Sequence, residues 1–240
     1  MIMDKGSIMN LSTFNPFSDK KKVKVFGERN SGTVYLEWLV QSNFKIDFQD
    51  YYTLGWKHRL APNIDELTED QKENILFLFI IKNPYSWLLS LHRKPYHHDE
   101  LKKLSFTEFL QFPYGDYTSP IDMWNKKTLS YLKLASEVNS AQIIRYEDLL
   151  AHPQNELETL GKTFDLIESF SWFTDMPNTI SNNRGVTSKS FHKDYYLKDK
   201  WKKALKNEHL SIIAKNIDTQ LMEHFHYELI ESVAKSASHA

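Results

Sequence analysis

Two glycines five residues apart, in the stretch VKVFGERNSGTVYL at residues 23–36, bracket side chains suited to holding an anion. Gly27 and Gly32 let the chain turn tightly after a short apolar strand, so that successive backbone N–H groups point inward where the next helix begins. Ser31 and Thr33 add hydroxyl donors, and Arg29 adds a permanent charge that grips an oxyanion through two N–H groups at once. The plainer reading is a strand-to-helix turn in which Ser31 caps the helix. The spacing matches the ATP-binding loop G-x-x-x-x-G-K-[ST], yet Thr33 stands where that loop has its phosphate-gripping lysine. A kinase or NTPase of that type also holds Mg²⁺ at an acidic strand end, whereas the strand ends here offer Lys82 and Arg145, which ligate no cation. The expectation is an anion site that uses no metal.

A second cationic point follows the apolar run at residues 75–81. Lys82 ends that run, Pro84 suits the first turn of a helix, and Ser90 lies two turns down it. Each alone reads as an ordinary solvated residue. Together they can reach one anion beside the first loop.

Placing these residues side by side requires a layered sheet. Residues 23–26, 75–81 and 141–145 are almost continuously apolar, the habit of parallel strands covered on both faces, and residues 51–56 are a weaker fourth candidate. Helical segments at 33–44, 65–74, 84–93, 120–138 and 153–164 separate them. The alternation predicts an α/β three-layer sandwich with a mainly parallel central sheet, whose ligands gather at the carboxyl ends of the strands. Met123, Trp124, Leu129, Tyr131, Leu132 and Leu134 on the helix at 120–138 read as core.

Composition sets the outer limits. The 240 residues suit one domain, at 22–230, with an irregular lead-in at 1–21 and a frayed tail at 231–240. Lys plus Arg number 30 against 31 for Asp plus Glu, which removes any whole-molecule case for nucleic acid or an anionic membrane as partner. With no cysteine there is no disulfide, thiolate zinc site or cysteine nucleophile. The longest apolar run is far below the roughly 18 residues of a membrane span, and a soluble, cytoplasmic protein is expected. His92, His97, His98 and Asp99 sit in a charge-dense connection and read as solvated rather than metal-binding. The basic run at 198–206, KDKWKKALK, reads as an exposed helix face. Oligomeric state is left open.

In combination, NSGTVYL, Lys82 with Ser90 eight residues on, and IIRYEDLLAHP resemble the motifs of the sulfotransferases that use 3′-phosphoadenosine 5′-phosphosulfate (PAPS). The resemblance runs from about residue 22 to 166, with a further piece at NNRGVTSKSF. It implies that Arg29, Asn30, Ser31, Gly32, Thr33 and Val34 bind the 5′-phosphosulfate. Lys82, Ser90 and the turn Arg184-Gly185 would bind the 3′-phosphate, and Tyr35 and Tyr146 would flank the adenine. It also implies that His58, in LGWKHRLAP, is the base, that the donor leaves as adenosine 3′,5′-bisphosphate (PAP), and that the acceptor is a hydroxyl or amine of a small molecule or saccharide. One departure stands out. Where the family has Lys or Arg directly before [ST]-G-T, this chain has Asn30, so the charge at the bridging oxygen falls to Arg29 or Lys57. A P-loop kinase or NTPase, and a nucleotide-binding protein without catalysis, are the alternatives. Residues 96–120 and 168–190, with Phe112, Tyr114, Tyr117, Trp172 and Phe173, are the expected acceptor walls.

Overall fold

The computed structural model describes residues 20–96, 98–177 and 193–231, together with the backbone of 180–181 and 187–188. Its centre is a sheet of β1 (Lys21–Phe26), β2 (Ile46–Phe48), β3 (Ile75–Ile81) and β4 (Ala141–Arg145) in the order β2-β1-β3-β4, every pair parallel. The central strand β3 reads ILFLFII and is buried throughout, because both of its faces are covered. Ile75, Phe77, Phe79 and Ile81 join one apolar cluster, and Leu76, Leu78 and Ile80 join the other. Each such side chain contributes on the order of 1.5–3 kcal/mol by leaving water.

Helices form the outer layers. On one face lie α1 (Thr33–Asn43), α7 (Tyr146–Ala151) and α8 (Pro153–Thr163); on the other lie α4 (Pro84–Arg93), α5 (Phe106–Phe109), α6 (Pro120–Glu137), α10 (Asn207–Asn216) and α11 (Thr219–His224). The short helices α2 (Tyr51–Leu54), α3 (Glu69–Asn74) and α9 (Lys193–Leu197) fill connections, and β5 (Ile180–Ser181) pairs antiparallel with β6 (Thr187–Ser188). The α/β class, the parallel sheet and the three layers agree with the sequence reading.

Three local expectations need correction. The fourth strand is β2, not residues 51–56, because Asp50 accepts a hydrogen bond from the Thr53 amide (3.0 Å) and starts a helical turn that Gly55 ends at φ 75°. Tyr51 and Tyr52 point into solvent, so their strand-favouring side chains find no sheet to pack on. The helix at 65–74 is split, since Thr68 and Gln71 form a capping box that restarts it as α3. The basic run at 198–206 is no plain exposed face, because Trp201 is buried and stacks on Tyr85 with ring centroids 6.3 Å apart.

The turn between β1 and α1 is possible only with glycine at Gly32, which has φ 98° and lies against the Tyr146 ring. A methyl group there meets both a backbone conformation foreign to L-residues and an aromatic ring that cannot retreat. Gly32→Ala is expected to lose about 3 kcal/mol of stability in urea denaturation, summing the left-handed backbone cost and overpacking. An unchanged midpoint would contradict the turn described.

Candidate functional site

The carboxyl ends of β1 and β3 open on one cavity of about 760 Å³. Arg29, Asn30, Gly32, Thr33, Val34 and Tyr35 line one wall, and Lys82, Ser90 and Tyr146 line the next. His58 faces it from the segment before α3. The sequence-predicted residues therefore converge, with four exceptions. Ser31 is buried beside the cavity. Lys57 turns away and pairs with Glu37 of α1 at 2.6 Å. Arg184 and Gly185 lie outside the described residues.

The loop is held from α4. Trp87 Nε1 donates to the Arg29 carbonyl (2.9 Å), and Lys82 Nζ donates to the Asn30 carbonyl (3.3 Å). Asn30 takes the left-handed conformation (φ 66°), which asparagine tolerates better than most residues, and its side-chain amide donates to Lys94 O (3.2 Å). Gly32, not Ser31, is the residue before α1, and no side chain caps that helix. The first-turn amides of α1 cannot bond carbonyls within the helix, and they belong to residues that line the cavity, an arrangement that favours an anion.

Lys82 is the most unusual group here. Only 2% exposed, it lies over the Tyr196 ring (3.8 Å to the centroid) and the Tyr146 ring (4.8 Å), and donates to Ser90 Oγ at 3.3 Å. Burial pulls its ammonium down to about 7, an effect that Arg93 reinforces and Glu147 opposes. Glu147, buried in turn, is pushed up from the usual carboxylate range. It accepts hydrogen bonds from the Asn83 amide (3.0 Å) and the Tyr227 hydroxyl (3.0 Å).

Sequence reasoning missed Arg93, Lys94, Trp56 and Tyr196, which with Tyr96 complete the walls. A signal for one of them was present, because Arg93 lies three residues after Ser90 on the same helix face and comes within 3.5 Å of its hydroxyl. Arg29 is clamped between the rings of Trp56 (4.7 Å) and Tyr96 (5.0 Å) and donates to Tyr96 O at 3.1 Å. Among the described residues, Arg29, Lys82, Arg93 and Lys94 have no carboxylate within ion-pair distance. A chain with near-zero net charge thus gathers around one hole four basic side chains that, among the described residues, have no ion-pair partner.

His58 Nδ1 lies 2.5 Å from the Gly27 carbonyl. A carbonyl only accepts, so Nδ1 carries the proton and Nε2 keeps its lone pair. Burial, with help from Lys57 and Arg29 and against the Gly27 hydrogen bond, lowers the imidazole to about 4. The ring is neutral at pH 7.

Of the expected acceptor walls, Tyr96 borders the cavity and Tyr114 OH donates to the neighbouring Pro95 carbonyl (2.9 Å). Trp172 and Phe173 instead line a separate hollow of about 130 Å³. Among the described residues no cluster of His, Asp and Glu is placed to hold a metal, and no helix is long and apolar enough to cross a membrane.

No family model and no curated protein matches the chain. Among solved structures it is similar to the sulfotransferase domain from the curacin biosynthetic pathway, at 19% identity and TM-score 0.44, over 77% of this chain and 63% of that one. It is also similar to the sulfotransferase domain from the Synechococcus PCC 7002 olefin synthase, at 18% identity and TM-score 0.38, over 66% of this chain and 51% of that one. The chain spans between about half and just under two thirds of the length of these domains. What the site can do is set by its own residues.

The low imidazole value makes folding pH-dependent. Between pH 6.5 and 4 the unfolded chain takes up a proton on His58 that the folded protein refuses, so stability falls as pH falls through that window. The urea midpoint of the wild type is expected to drop more steeply from pH 6.5 to 4.5 than that of His58→Gln. Parallel pH dependences would mean that the ring is not held neutral.

Proposed function

We propose that the protein is a PAPS-dependent sulfotransferase acting on a hydroxyl or amine of a small molecule or saccharide. One observation supports the reading: two cationic points, Arg29 at the uncapped end of α1 and the group Lys82, Ser90 and Arg93, share a single cavity with tyrosine rings, and among the described residues no carboxylate is paired to those cations. A nucleotide charged at both ends of its ribose fits that spacing of charge and aromatic surface. A triphosphate with magnesium is served less well, because Thr33 replaces the loop lysine and β3 ends in Lys82.

When bound, PAPS supplies an activated sulfuryl group. Sulfuryl transfer depends on alignment and on stabilising charge at the departing oxygen. Arg29 is the loop cation in the cavity and suits that stabilising role; Lys57, paired with Glu37, does not. His58 Nε2 takes the proton from the acceptor oxygen or nitrogen as that atom forms its bond to sulfur. Tyr35 and Tyr146 are the platform for the adenine. Tyr35 is fixed by donating its hydroxyl hydrogen bond to Asp175 (2.9 Å), and Tyr146 by edge-on packing against Tyr196.

Isothermal titration with PAP, the product nucleotide, tests the binding step. Free Lys82 titrates near 7 and a bound phosphate raises that value, so affinity is expected to fall as pH rises from 7 to 9. Lys82→Met is expected to weaken binding about ten- to a hundredfold at pH 6.5 and to flatten the pH dependence. His58→Gln is expected to leave PAP affinity intact while lowering turnover of labelled PAPS with a productive acceptor by about 10²–10⁴. If PAP does not bind, or if Mg²⁺-ATP displaces it, the assignment fails.

A further inference from the structure

His58 is held in place from outside the cavity, by one face of α6. Lys127, Ser130 and Tyr131 stand at spacings of three and four residues, which puts them on one side of the helix. All three reach the backbone of the segment that carries the histidine. Lys127 Nζ donates to the His58 carbonyl (2.5 Å), Tyr131 OH donates to the Arg59 carbonyl (3.3 Å), and the Ala61 amide donates to Ser130 Oγ (3.1 Å).

The second half of the arrangement closes a ring. Lys127 also pairs with Glu28, and both side chains are buried. Glu28 is peptide-bonded to Gly27, whose carbonyl receives the His58 Nδ1 proton and whose amide donates to Lys57 O (3.0 Å). The other carboxylate oxygen of Glu28 accepts from the Arg29 amide at 2.7 Å. The imidazole and the carbonyl that sets its tautomer are therefore tied to each other twice, once directly and once through Glu28 and Lys127. No member of the pair lines the cavity.

We propose that Glu28 and Lys127, with Ser130 and Tyr131, are positioning residues that lock His58 in its Nδ1–H tautomer with Nε2 free for the acceptor proton. This rests on reading His58 as the base, but tautomer and nucleotide affinity are measurable without turnover. A buried ion pair adds little net stability compared with apolar residues of the same shape, so a positional role accounts for keeping it here. Losing one partner alone strands a buried charge; the double replacement Glu28→Gln with Lys127→Met avoids that.

The experiment is ¹⁵N NMR of the histidine side chains at pH 7.5, with the His58 signals identified by their loss in His58→Gln. The wild type is expected to show a single Nδ1–H tautomer. The double variant is expected to show a mixture of both tautomers, to bind PAP as the wild type does, and to lose about a hundredfold in kcat with little change in KM for PAPS, the scale expected when a reacting group is misplaced by an ångström. An unaltered Nδ1–H tautomer in the double variant overturns the inference, whether or not the protein transfers sulfuryl groups. Should the double variant fail to fold, Ser130→Ala and Tyr131→Phe combined are expected to produce the same mixture, and a pure Nδ1–H signal there overturns it equally. A mixed tautomer in the double variant, together with a wild type that binds PAP but turns over no acceptor, would support the clamp while removing the catalytic reading.

Discussion

Parallel pairing of β1 with β3, with Phe26 opposite Phe79, is the constraint on which the rest of the site depends. Because the strands run the same way, their carboxyl ends emerge on one edge, and the loop that follows each must share that edge with the other. Gly27 shows how close the approach is, since a methyl group there would sit 2.8 Å from the Ile80 carbonyl. A slip of one residue in this register would turn the side chains of β3 to the opposite layers and carry Lys82 away from the loop. Burial of β3 on both faces opposes such a slip. The apolar run that stabilises the core therefore also sets the distance between two cations.

One of those cations, Lys82, is kept in a charged state that its surroundings disfavour. Lys82 is buried against two tyrosine rings, among the described residues no carboxylate lies within ion-pair distance of it, and Arg93 adds to the cost of its protonated form while Glu147 offsets part of it. A bound anion lowers that cost, replacing lost water with a counter-charge. A lysine that is poorly solvated and already held in place has met part of the cost of binding an anion before any anion arrives.

The sequence discloses the residues that a single element carries and conceals those that several elements must share. The strand runs, the turn glycines and the pair Lys82 and Ser90 follow from local pattern, and the structure gathers them as expected. Trp56 and Tyr196 were invisible because each reaches the cavity from a connection whose path is fixed by distant contacts, as when Lys24 Nζ holds the Asp50 and Gly55 carbonyls at 2.9 and 2.7 Å ahead of Trp56. Residues 51–56 misled for a related reason. Their aromatic content favours a strand only where a neighbouring surface buries it, and Asp50 at the cap outweighed that preference in open solvent. The pairing of Lys57 with Glu37 of α1 was hidden for the same reason, since it joins a turn to a helix twenty residues earlier.

Position and charge are divided between two neighbouring residues of the loop, Asn30 and Arg29. Residue 30 sits in the left-handed region, where its carbonyl receives Lys82 and its amide reaches Lys94, so its part is to shape the loop. Charge has moved one residue back, to Arg29, whose guanidinium is gripped by two aromatic rings and cannot swing freely as a lysine stem does. A rigid planar fork presents paired donors from a fixed direction, whereas an ammonium is a mobile point charge. Such a fork stabilises negative charge only at an oxygen lying along its own donor directions, so Arg29 demands alignment where a lysine stem would adapt to its partner.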